Sequence, residues 1–106
     1  MTNKEVLDEL CKIGKLPSEY DCGNFPFENF DTLIKRIQLP LDIDTVIKLI
    51  NLSPPMDTGC FGMEWTLVHL IEKYQNYGKD FQKIMNKSEN GEVKNLLKIR
   101  KEQEDN

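Results

Sequence analysis

Long hydrophobic runs are missing from this 106-residue chain. None approaches the roughly 20 apolar residues that a membrane helix needs, which excludes a helical span. The first residues, Met1-Thr2-Asn3-Lys4-Glu5, lack the apolar block of a secretory signal, so a cytoplasmic location is expected. Histidine is nearly absent: His69 stands alone, and every imidazole mechanism would have to use it. Cysteine occurs three times, at Cys11, Cys22 and Cys60. An odd, widely spaced set makes a poor disulfide framework, and no pair has the Cys-x-x-Cys spacing of a zinc or redox site. Three reduced thiols are expected. Arginine is scarce as well, at Arg36 and Arg100 only. No GxGxxG, no phosphate-binding loop and no internal repeat occurs, which removes the usual signatures of nucleotide enzymes and solenoid arrays.

What is present is helical periodicity. The stretch Gly59 to Tyr77 reads as one central helix starting near Gly62, because Met63, Leu67, Leu70, Ile71 and Tyr74 recur on one face. Trp65 and Val68 widen that face, and Trp65, Leu67, Leu70 and Ile71 are expected to be buried. Thr2 with Glu5 forms a capping-box pattern ahead of a helix over 3–13, which Gly14 closes. Residues 16–28 show neither period, and a single helical turn after Ser18, closed by Asp21, is the most they suggest. Pro17, Gly23 and Pro26 break regular structure, while Tyr20, Phe25 and Phe27 are too apolar for a linker. Asn29 is positioned to cap a helix burying Phe30, Leu33, Ile34 and Ile37, and Pro40 ends it. Asp42 or Asp44 caps the next, through Ile43, Val46, Ile47 and Ile50. These two read as an antiparallel hairpin. Ser53 to Gly59 cannot be helical. Beyond Tyr77, Phe81, Ile84 and Met85 continue a stripe past Gly78, opposite Lys79, Lys83 and Lys87. Val93, Leu96, Leu97 and Arg100 make a last stripe, with Lys94, Lys98 and Lys101 outside. The expected fold is all-α, a single domain over 1–106 with five or six short helices and residues 102–106 frayed. Its paired-helix plan resembles a HEAT-type stack, without a repeating pattern.

The net charge of −4 is unevenly laid out. Leu16 to Glu64 carries eight acidic and three basic residues, whereas Lys73 to Lys101 carries eight basic and three acidic. Asp31, Asp42 and Asp44 fall at helix starts, where carboxylates are favourable in any case. Glu19, Asp21, Glu28, Asp57 and Glu64 lie in or beside loops, interleaved with Tyr20, Phe25 and Phe27. Carboxylates beside aromatic rings suit capture of a basic protein: attraction speeds encounter and rings anchor it. Those eight residues form the candidate binding surface. The lysine stripes suggest nucleic acid less, given the acidic whole and the lack of aromatics among them. His69 with Glu72 at i+3 could begin a carboxylate-bundle metal site, but the other stripes bring no inward carboxylates. Cys60 with His69 lacks a third orienting group. No catalysis, cofactor or metal is expected.

Pro54 to Glu72 contains Gly59-Cys60-Phe61-Gly62, then Glu64-Trp65-Thr66-Leu67 and His69-Leu70-Ile71-Glu72. It resembles small helical immunity proteins of bacterial polymorphic-toxin and contact-dependent inhibition systems, in which a Gly-rich turn leads into a Trp-x-Leu-x-x-Leu-Ile-Glu helix. The resemblance implies a non-enzymatic inhibitor of a toxin domain, commonly a basic nuclease. The alternative is a small helical adaptor or regulatory subunit with no inhibitory role.

Overall fold

A computed structural model describes residues 1–105. They form six α-helices and no strand: α1 Asn3–Ile13, α2 Phe27–Lys35, α3 Ile43–Ile50, α4 Met63–Ile71, α5 Tyr77–Lys87 and α6 Glu92–Asp105. None is long and apolar enough to cross a membrane. Residues 102–105, where fraying is expected, are the last turn of α6, and Asn106 lies outside the described residues.

Local chemistry sets the boundaries of α1 and α3. The Thr2 side chain accepts from the Glu5 N–H while the Glu5 carboxylate accepts from the Thr2 N–H, so two free donors are satisfied reciprocally. Gly14, at φ 99°, closes the helix with its N–H on the Leu10 carbonyl. Asp42 Oδ1 accepts from the Thr45 N–H at 2.7 Å, which makes Asp42, and not Asp44, the cap of α3. Asn29 does not cap α2. That helix begins at Phe27 after Pro26 with no side-chain cap, and the Phe25, Phe27 and Phe30 rings packing at 4.9 and 5.7 Å hold its start instead. After Ser18 there is only a turn, with the Asp21 N–H on the Ser18 carbonyl.

The centre of the molecule is α3, not the tryptophan helix. It packs against α1, α4 and α5, with Val46, Leu49 and Ile50 fully buried. The principal neighbour of α2 is α1, so the expected α2–α3 hairpin is not the main pairing. The long central helix is also two helices. It stops at Ile71, turns through Glu72 to Asn76, and resumes at Tyr77, leaving Gly78 inside α5. The Tyr74 hydroxyl donates to Asp80 Oδ2 at 2.7 Å and braces that corner. Along α4 the buried face is Glu64, Leu67, Val68 and Ile71, one position round from the expected stripe. Leu70 is therefore only half-buried and Trp65 remains 39% exposed.

The last helix is started by another part of the chain. The Val93 N–H donates to Ser53 Oγ at 2.9 Å and the Glu92 N–H to the Pro54 carbonyl at 3.1 Å. Gly91 allows that approach, since a Cβ there would sit 2.8 Å from Ser53 Oγ. Lys94 is buried rather than outside: its ammonium donates to the Ser88 carbonyl at the end of α5, at 2.8 Å. Its apolar stem is covered and its charge meets the negative end of that helix.

Candidate binding surface

The two irregular segments, residues 15–26 and 51–62, lie side by side. The Leu16 N–H donates to the Leu52 carbonyl and the Glu19 N–H to the Gly59 carbonyl, both at 2.9 Å. Glu19 Oε2 accepts from the Phe61 N–H at a long 3.4 Å. The Phe27 and Phe61 rings meet edge to face at 5.5 Å. The pairing unites stretches with a shared property: neither 16–34 nor 49–68 contains a lysine, arginine or histidine.

Of the eight predicted residues, Glu19 and Glu64 flank Gly59, where a Cβ would stand 3.3 Å from Glu19 Oε1 and 3.5 Å from Glu64 Oε2. Glu64 is 93% covered, being only 7% exposed, and its Oε1 accepts from the Cys60 N–H at 2.9 Å. It serves the turn that launches α4 and is a poor contact residue. Phe25 and Phe27 are half-buried against Phe30 and pack on the core. Glu28 lies exposed in the first turn of α2, where its charge also suits the helix dipole. Asp21 is exposed, and Tyr20 beside it is 88% exposed. Asp57 is held elsewhere: its N–H donates to Glu92 Oε1 at 3.1 Å, against the start of α6.

Phe61, Met56 and Trp65 are exposed apolar residues that the candidate set omits. Phe61 is 64% exposed and sits at φ 52° between Cys60 and Gly62. Asp57, at φ 64°, and Phe61 are the two non-glycine residues in left-handed backbone among the described residues, both in the 51–62 segment. Such conformations cost energy and persist where the surroundings impose them, often at recognition sites. An aromatic residue in a Gly-Cys-Phe-Gly turn, outside any helical stripe, was the available signal for Phe61.

Cys60, His69 and Glu72, the groups weighed for chemistry, have separate environments. Burial, and then the neighbouring Glu64 carboxylate, push the Cys60 thiol up to about 11, so at neutral pH it is protonated and a weak nucleophile. His69 is exposed, with its ring 6.0 Å from that of Trp65. Both Glu72 oxygens are engaged by Arg100, at 2.8 and 2.9 Å, which takes that carboxylate away from any pairing with His69 on a metal. Among the described residues, no three His, Cys, Asp or Glu side chains group as a metal set. Compared with protein-family models, curated proteins and solved structures, the chain matches none.

The surface is therefore defined by its own geometry. Its contact-ready part is narrower than the sequence suggests: Tyr20, Asp21 and Glu28 with Phe61. Glu19 and Glu64 shape it from within.

Proposed function

We propose that this protein is a non-enzymatic inhibitor that binds a basic protein partner through the paired loops, acting in the cytoplasm as an immunity protein against a toxin domain such as a nuclease. One observation carries the reading. Two cation-free segments, distant in sequence, lie together and expose Tyr20 and Phe61 beside the Asp21 and Glu28 carboxylates. Exposed aromatics ringed by one sign of charge supply an anchor and a steering field at once. The likeness of residues 54–72 to immunity proteins gives that binding its purpose.

The test starts from capture of partners in the native organism, followed by expression of each captured protein alone. A basic partner that arrests growth, and whose toxicity is relieved by co-expression of this chain, is the expected result. Tyr20→Ala combined with Asp21→Lys and Glu28→Lys should abolish relief while leaving the helical circular dichroism unchanged. Relief that survives this variant but fails in Lys79→Glu with Lys83→Glu would move the binding surface to α5 and sink the reading. A captured partner that is harmless would favour the adaptor role.

A further inference from the structure

The principal contacts of α5 are with α3 and those of α6 with α4, and the two helices leave a groove of about 480 Å³ between them. That is within the usual range of binding pockets. Phe81 and the buried Met85 form its floor, Lys79 lines it from α5, and Lys98, Lys101 and Glu102 line it from α6. The Lys101 ammonium sits 5.8 Å from the Phe81 ring centroid. Lys79 and Lys98 form no salt bridge among the described residues. The order across the groove is cation, apolar floor, cation.

The chain carries the converse. At the tip of the first loop, Tyr20 is the most exposed of the large hydrophobic side chains and lies between Glu19 and Asp21. The Glu19 carboxylate is turned onto the Phe61 N–H, so what the loop presents is an aromatic ring followed by the Asp21 carboxylate. The groove lies along the far half of α6, beginning at Lys98, six residues or about 9 Å along the axis from Glu92, which the second loop abuts. The geometry points to head-to-tail self-association: Tyr20 of one copy seats on Phe81 and Met85 of the next, with Asp21 facing Lys79 or Lys98. A lipid surface would need apolar side chains that project, and these are recessed. A nucleic-acid backbone would gain nothing from the Met85 floor. Because donor and acceptor surfaces differ, the contact is heterologous and can extend into chains or rings. Tyr20 belongs also to the partner surface, so self-association and partner binding compete. The inference itself does not require that partner.

Sedimentation of the purified chain at sub-millimolar concentration and low salt tests it. The weight-average mass should exceed the monomer's 12.4 kDa, and should return to it in high salt. Tyr20→Ala, at an exposed position, should stay monomeric, as should Lys79→Glu with Lys98→Glu. The decisive sample is an equimolar mixture of the two variants. The first retains an intact groove and the second an intact tip, so the mixture should form a one-to-one dimer and nothing larger. A wild-type monomer under all these conditions overturns the inference and leaves the partner reading intact. So does self-association that survives either variant, or a mixture that stays monomeric.

Discussion

Leu67 and Trp65, two residues apart on α4, have opposite fates. Leu67 is fully buried, at the crossing of α4 with the core, and Trp65 keeps 39% of its surface in water. Leu67→Ala should cost about 2–5 kcal/mol by denaturant unfolding, the range for emptying a closed leucine site. Trp65→Ala should cost clearly less, since the indole is already partly in water, with Arg100 5.8 Å from the ring centroid. Equal losses at both sites would contradict this placement of the helix face. Asp42 offers a test by pH. Hydrogen bonds from Thr45 hold its carboxyl below the ordinary value. A carboxylate depressed on folding contributes stability that is complete above its unfolded pKa, about 3.9, and lost as pH falls through the folded value. Asp42→Ala should therefore cost about 1 kcal/mol at neutral pH, the usual worth of an N-cap. The difference from wild type should shrink as pH drops below about 4. A constant difference down to strong acid would mean the cap acts by something other than its charge.

At the scale of elements, α6 depends on a residue nearly forty positions upstream. Ser53 Oγ accepts from the Val93 N–H and donates to the Pro54 carbonyl at 2.7 Å, all of it out of water. Ser53→Ala should leave a buried donor unpaired and cost about 1–3 kcal/mol. Hydrogen exchange should locate the damage in the first turn of α6, and a uniform loss across all six helices would argue against so local a role. This dependence explains what the sequence could and could not disclose. α1 and α3 were legible because their caps lie within three residues of the groups they serve: Thr2 with Glu5, and Asp42 with Thr45. The start of α2 was not, because ring packing by Phe25 and Phe30 overrides the missing cap. The break after Ile71 was not legible either. An apolar period persists through Tyr74, and one contact that holds the turn, Arg100 on Glu72, comes from 28 positions away. The burial of Glu64 and Lys94 has the same origin. Each satisfies backbone groups at the end of an element, and binary patterning marks both as solvent-facing.

On the scale of the whole molecule, the division of charge along the sequence has structural consequences at both ends. The acidic residues that matter for approach are those left exposed after folding has used the others. Glu64 serves the Cys60 N–H and Glu19 leans on the second loop, whereas Asp57 is tied to α6 only through its backbone N–H and keeps its side chain exposed. Asp21, Glu28 and Asp57 remain exposed, in segments with no compensating cation. Their field reaches about 30 Å at 0.01 M salt but only about 8 Å at physiological ionic strength. Association with a basic partner should therefore slow by about tenfold or more across that range, with little change in dissociation, because steering acts on the encounter. Asp21→Lys with Glu28→Lys should lower the rate at low salt and flatten its salt dependence together. Folding stability should scarcely move, since exposed charges contribute little to it. Phe61→Ala should do the reverse: it removes an anchor, so dissociation should quicken while the salt dependence of association stays as in wild type. Stopped-flow association and dissociation measurements on the three proteins separate the two effects. If Phe61→Ala flattened the salt dependence, or the charge reversals changed dissociation alone, the division of labour between carboxylates and ring would be wrong.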